Sequence, residues 1–230
     1  MYFQHSPEIW QDFPELVPGV VVVEGIHPNV AVGQRIETFN RIAAERLAKG
    51  PESELPEIQA WRRAFSRMGL KPTQYRCASE SLLRRFRKEG ALPPIHPLVD
   101  LCNAISLAYA IPVAALDRSR ITGGLEVRYA SGNERYMAFS SDTENPESRE
   151  VIFADAAGQA HARRWTNRQS GDSAVREGTT AVLIVTEAMH ASATTDVARL
   201  IAAITDEVNG IWSVTPQTAM LSQTAPRFAF

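Results

Sequence analysis

A chain of 230 residues with 44% hydrophobic and 22% charged residues has the composition of a globular protein, which excludes a disordered or low-complexity polymer. Its longest apolar run, Ala181 to Val185, has strand length and falls far short of the ~18–20 residues of a membrane helix. The net charge is −2, and the two cysteines, Cys77 and Cys102, provide neither a disulfide framework nor metal-ligand spacing. The N-terminus lacks the basic and then apolar regions of an export signal, so a soluble, cytoplasmic protein is expected, and no weight is placed on Met1–His5.

In chain order, Val20–Val23 reads as a short buried strand. Ile36, Phe39, Ala43 and Leu47 mark a helical face closed by Gly50-Pro51. A second helix starts after Pro56, with Ile58, Trp61, Phe65 and Met68 inward, and stops near Gly69. Ser79 to Glu89 predicts a third, ending at Gly90, and a fourth follows Pro97 with Leu98, Leu101, Ile105 and Ala108 along one side. Beyond Ile111-Pro112 the pattern turns to strands: 125–129, 135–139, 150–154 and 159–163, the last two joined by a hairpin-like loop at 155–158. Thr180 to Glu187 predicts a central strand, and Thr195 to Val208 a closing helix capped by Asn209-Gly210. Strands mixed with helices, without regular βαβ alternation, argue for an α+β fold in one domain, 1–230, with a helical part over 1–70 and a core over 71–230.

Charge is distributed unevenly. Residues 62–88 hold Arg62, Arg63, Arg67, Lys71, Arg76, Arg84, Arg85, Arg87 and Lys88 against one acid, Glu80, a net +8 that leaves −10 for the rest. Arginine suits bidentate phosphate contacts and base stacking, so this segment is a candidate polyanion surface; the alternative is a solvated helical face. Phosphate-binding loops, dinucleotide glycine fingerprints, His-Glu-x-x-His and Gly-x-Ser-x-Gly are all missing, and the five histidines are scattered, so no metal or cofactor is expected. Three polar clusters stand out: Asp100–Asn103 within an apolar helix, Arg163 to Gly171 with its three Arg and Trp165, and Glu187 with His190 at the end of an apolar strand. Each has a structural alternative: a backbone-bonded Asn103, a loop with Trp165 anchored in the core, and a carboxylate that caps a helix.

The residues Ser79-Glu80-Ser81-Leu82-Leu83-Arg84-Arg85, Pro97 to Asn103, Ile111-Pro112 to Asp117, Gly123 to Arg128 and the strand ending in Glu187-Ala188 together resemble the B3/B4-type editing module of the phenylalanyl-tRNA synthetase beta subunit. The segment Arg163-Arg164-Trp165-Thr166-Asn167-Arg168-Gln169-Ser170 resembles free-standing relatives of that module more closely. The resemblance implies a layered helix and sheet module with a β-sandwich-like core, and hydrolysis of a misacylated tRNA in trans. The synthetase pocket has a Thr-Asn pair, a His, a glycine-rich wall and a Glu at a strand end. Here these become Cys102-Asn103, Ala114, Arg164 to Ser170, and Glu187.

By that resemblance, Asn103 and Glu187 are the catalytic candidates. Cys102, Asp117, Glu126, Arg164, Trp165, Asn167, Arg168 and Gln169 are the substrate-binding ones, with Trp165 stacking on the terminal adenine. Arg62, Arg63, Arg67, Arg76, Arg84, Arg85, Arg87 and Lys88 would hold the tRNA backbone. No DNA or membrane partner is expected. A polar wall favours a polar amino acid, with canavanine misloaded on arginine tRNA as the leading case because one relative removes it; Asp117, Glu126 and Glu187 are the acids that could meet its guanidino-oxy group. The alternatives are a tRNA-binding module without catalysis, another misacylated tRNA, and a small amino-acid conjugate.

Overall fold

The computed structural model describes residues 1–230 as six α-helices and two sheets. In chain order the elements are β1 (Tyr2–His5), α1 (Pro7–Asp12), β2 (Val17–Glu24), α2 (Gly33–Leu47), α3 (Pro56–Arg67), α4 (Ala78–Glu89), α5 (Pro97–Tyr109), β3 (Val113–Asp117), β4 (Leu125–Tyr129), β5 (Arg135–Met137), β6 (Thr143–Glu144), β7 (Val151–Asp155), β8 (Gln159–Arg163), β9 (Arg168–Gln169), β10 (Ala181–Ala188), α6 (Ala193–Trp212), β11 (Gln217–Met220) and β12 (Arg227–Ala229). The larger sheet runs β12-β1-β4-β7-β8-β5-β6, with β9 paired on β8; the smaller runs β11-β2-β10-β3. The expected mixed fold is therefore present. The first seventy residues are more than a helical segment, because they supply β1 to the larger sheet and β2 to the smaller.

The layers follow from the period of two along a strand. In β2, Val20 and Val22 join a core shared with the larger sheet, while Val21 and Val23 join a second core under α2, α5 and α6. β10 alternates in the same way: Leu183 and Val185 face the first core, Val182 and Ile184 the second. Paired with β2 on one edge and β3 on the other, β10 is covered on both faces, which explains its unbroken apolar run. Phe3, Leu125, Val127, Val151 and Phe153 of the larger sheet meet that first core, together with Trp61 and Phe65 of α3 and Leu83 of α4.

Local chemistry sets the helix ends. Ser6 caps α1, with Pro7 in its first turn, and Ser6 Oγ accepts the Ile9 N–H at 3.4 Å. Gly90 closes α4 at φ 78°, where a side chain would be strained. α6 corrects one expectation: it passes through Asn209-Gly210 and ends at Trp212. Val208 and Trp212 are buried and Trp212 Nε1 donates to His27 O at 2.9 Å, so packing overrides the weak helix propensity of that pair. Gly19 is where α6 lies tightest on β2, since a Cβ there would sit 2.5 Å from Ile201 Cδ1.

Candidate functional site

The alternation that buries Leu183 and Val185 between the sheets places Glu187, two residues further on, in the same layer. Glu187 is 1% exposed. Its Oε1 lies 2.6 Å from His5 Nε2, and its Oε2 accepts the indole N–H of Trp165 at 2.9 Å. The backbone carbonyl of Glu187 accepts the Trp61 indole N–H at 3.3 Å. His5, itself 2% exposed, reaches this carboxylate because β1 alternates as well: Phe3 and His5 point inward and meet edge-on at 5.2 Å. The N-terminal strand, given no weight in the sequence, thus completes the surroundings of the strongest catalytic candidate.

Trp165 is fully buried. Arg164 and Trp165 take φ values of 47° and 58°, a left-handed pair that turns the chain after β8 and drives the indole inward. There it packs edge-to-face on Phe13 at 4.8 Å and on Trp61 at 5.2 Å. It cannot stack on an incoming base, so that expectation is corrected: Trp165 anchors the loop and orients Glu187.

Glu187 and Trp165 line a cavity of about 70 Å³ whose wall also carries Ala114, Asn167, Arg168 and Gln169. At about 10–15 Å³ per water-sized position, this holds on the order of five to seven such positions. Asn167 is fixed through Nδ2 to Arg76 O at 2.8 Å, and Gln169 through Nε2 to Ala115 O at 2.8 Å. Arg168 pairs with Glu144 at 3.3 Å and lies 5.2 Å from the Tyr136 ring centroid. Ala114, with only a methyl group, leaves that part of the wall apolar.

The other candidates lie elsewhere. Asn103 and Cys102 line a neighbouring cleft of about 230 Å³ that shares only Val113 and Gln169 with the first, so Asn103 and Glu187 are not in one cavity. Burial pushes the Cys102 thiol up to about 12, leaving it protonated and unreactive. Asp117 is consumed structurally: Oδ1 accepts from Ser119 N and Oγ, and Oδ2 from Thr179 Oγ1 at 2.7 Å. Glu126 accepts from Gln4 Nε2 at 2.7 Å, on β4, outside both cavities. Arg164 faces away, its guanidinium 4.8 Å from the Tyr75 ring centroid. Of the three acids considered for a substrate contact, Glu187 alone lines the cavity.

The basic segment also differs from expectation. Arg62 grips buried Glu80 through two bonds, at 2.6 and 3.2 Å, and Arg76 lies 3.4 Å from the same carboxylate. Arg84 and Arg87 both pair with buried Glu52, at 3.1 and 2.8 Å. Arg67 pairs with Glu15, and Arg85 with Glu89 at 2.8 Å. Of the eight phosphate-binding candidates, Arg63 and Lys88 have no acidic partner. Glu57, His190 and Asp196 bring ligand-type atoms within 4.8 Å of one another, but Arg46 holds Glu57 at 2.6 Å, and Ser192 and His190 both donate to Asp196 at the start of α6. That network fastens a helix end.

Comparison with known proteins finds a matching family and several relatives. Residues 60–209 match the model of the B3/4 domain family. The phenylalanine–tRNA ligase beta subunit of Nocardia farcinica is 29% identical over 167 residues, covering 70% of this chain and 19% of that protein. The corresponding subunit of Coxiella burnetii is 31% identical over 104 residues, 45% of this chain and 13% of that protein. The chain therefore spans less than a fifth of the length of these curated relatives. Among solved structures, an N-terminal fragment of the phenylalanyl-tRNA synthetase beta subunit from Pyrococcus horikoshii aligns with a TM-score of 0.49 at 8% identity, covering 95% of this chain and 53% of that one. Matched to the family model over more than half of its length, the chain is a member of the B3/4 domain family.

Proposed function

We propose that this protein is a trans-acting aminoacyl-tRNA deacylase that hydrolyses the ester of a misacylated tRNA. The observation that carries the reading is Glu187: a carboxylate inside a closed layer, held by His5 and Trp165, and lining a small, largely apolar cavity in which Asn167, Arg168 and Gln169 are further polar groups. A buried acid with one oriented donor on each oxygen, standing in the wall of a cavity, is a candidate for chemistry in that cavity. An aminoacyl ester is already activated, so the site needs no covalent nucleophile. It must position water and stabilise the developing oxyanion.

In this mechanism Glu187 accepts a hydrogen bond from the attacking water and takes its proton as the water oxygen bonds to the ester carbon. The ribose–oxygen bond to that carbon then breaks, and the proton passes to the leaving ribose oxygen. His5 and Trp165 keep the carboxylate pointed at the cavity. Asn167 and Arg168 filter the amino acid, and canavanine, with its extended polar side chain, is the leading candidate on arginine tRNA. Discrimination between near-isosteres in one site is small, which is the physical reason for a second, hydrolytic sieve.

The test is deacylation of canavanyl- and arginyl-tRNA on arginine tRNA, and of tyrosyl-tRNA on phenylalanine tRNA. Canavanine should be lost and arginine spared, and Glu187→Ala should abolish turnover while tRNA binding persists. Full activity in Glu187→Ala removes that residue from the mechanism. A second reading, hydrolysis of a small aminoacyl ester with no tRNA body, is favoured by one observation: most of the arginines in 62–88 are engaged by acids and have less charge to offer phosphates. Equal turnover of a charged tRNA and of the same amino acid esterified to adenosine would support it.

A further inference from the structure

Five large apolar residues are exposed, and the two most exposed, Phe139 at 70% and Ile95 at 67%, both line the 230 Å³ cleft beside the Glu187 cavity. Isolated exposed apolar side chains need no explanation, but two converging on one cleft do. The walls behind them are apolar, with Val99, Ala115 and Val175, and polar groups stand at particular points. The Asn103 side chain makes no hydrogen bond within the protein although half-buried. Gln169 spends its amide N–H on Ala115 O and keeps its side-chain carbonyl free of protein donors. Arg176, exposed, is steadied by a 2.9 Å bond to Gly171 O and stands on the same lining.

A flat ring with two apolar faces and a polar edge matches this lining, and an unpaired nucleobase is such a ring: its faces stack on aromatic and aliphatic side chains while amides read its edge. The two cavities meet at Val113 and Gln169. A ligand filling both would have its amino acid beside Glu187, a scissile bond between that carboxylate and the junction, and a ring between Phe139 and Ile95. We propose that this cleft is the nucleoside subsite, taking the terminal adenosine of a 3′-aminoacylated RNA, with Phe139 as its stacking platform and Asn103 and Gln169 at the base edge. It rests on the deacylase reading and assigns to Phe139 the role that the burial of Trp165 rules out for that residue. Arg176 faces the phosphate on the 5′ side.

The experiment is calorimetry with a non-hydrolysable probe, 3′-(aminoacylamino)-3′-deoxyadenosine 5′-phosphate carrying an arginine-like side chain. It is run beside the same amide on a ribose lacking the base, and beside a 5′-linked aminoacyl-sulfamoyl adenosine. The full probe should bind more tightly than both controls. Phe139→Ala should weaken it by about 5- to 150-fold, the range of base–aromatic stacking, Phe139→Tyr should retain it within a few-fold, and binding of the baseless amide should not respond to either change. Because Phe139 is exposed, its truncation leaves the core intact, and circular dichroism checks this. Equal affinity of wild type and Phe139→Ala, no binding of the full probe, or preference for the 5′-linked compound overturns the proposal. Phe139-dependent binding without deacylation of any charged tRNA keeps the subsite and discards the hydrolase. Deacylation with a KM indifferent to Phe139→Ala does the reverse.

Discussion

The carboxylate of Glu187 holds two donors, His5 Nε2 at 2.6 Å and the Trp165 indole N–H at 2.9 Å, in a layer closed to solvent. Removing His5 leaves the buried carboxylate one donor short, at about 1–3 kcal/mol. For a chain of this size each kcal/mol moves Tm by about 2–4 °C, so His5→Ala should lower Tm by about 2–12 °C. The decisive quantity is the coupling, because truncation also empties space. A double-mutant cycle of His5→Ala and Glu187→Ala, read by urea unfolding, should give about 1.5–3 kcal/mol, the net worth of a hydrogen bond to a charged group. At 1 M salt, where the Debye length is about 3 Å, that coupling should persist because solvent ions do not reach the pair. The exposed Arg85–Glu89 pair should lose its few tenths under the same conditions. Coupling below about 0.5 kcal/mol, the scatter of independent sites, would refute the claim that His5 fixes Glu187.

Glu52→Gln should release Arg84 and Arg87 from their shared buried partner. It should destabilise by about 1–3 kcal/mol, while tightening RNA binding and steepening its log–log salt slope by up to about 1.4; filter binding across a salt series reads both. Gly19→Ala should cost about 1–3 kcal/mol by overpacking against Ile201, Val197 and Thr186, measured by thermal unfolding. Burial would raise Asp155, but the His161 ring and the N–H groups of Thr122 and Gln159 outweigh it and hold the carboxyl at about 2. Glu134 is held at about 2 as well, its burial outweighed by the Ser131 backbone and Arg128. Both pKa values are depressed on folding. Their stabilisation is thus complete above about pH 4.5 and lost as pH falls through 4 toward 2, and Asp155→Asn should flatten an acid titration of stability in that window.

What the sequence disclosed and what it hid divide along the range of the interactions. β10 was legible because two-sided burial writes a continuous apolar run, and α2 to α5 because their apolar stripes and terminal Pro and Gly residues are local signals. The Glu187–His5 bond spans 182 positions, and nothing near Met1–His5 announces it. For Trp165 the sequence offered two readings, an anchor in the core and a stacking platform for the terminal adenine, and its burial through two left-handed residues bears out the anchor. The charge of residues 62–88 misled because a window counts only its own acids, while Glu52 and Glu15 arrive from outside it. β11 and β12 escaped notice since each is short and mostly exposed, with little apolar patterning to reveal it. Expecting acids at Asp117 and Glu126 to serve a ligand failed for a different reason: each is used up by hydroxyl, amide or backbone donors visible only in three dimensions.

The position of Glu187 on β10 has a consequence for how the site behaves in time. β10 is hydrogen-bonded along both edges, from Ala181 to Ala188 against β2 and from Val182 to Thr186 against β3, with packed side chains above and below. Backbone amides in such a strand exchange with solvent only through opening on the scale of global unfolding. The catalytic candidate therefore rides on the slowest-breathing element of the molecule, and its geometry is set before any ligand arrives. Phe139 stands instead at the start of an exposed turn, 139–143. In the proposed reading, the reacting carboxylate is rigid and adaptation to different ligands would fall to that rim.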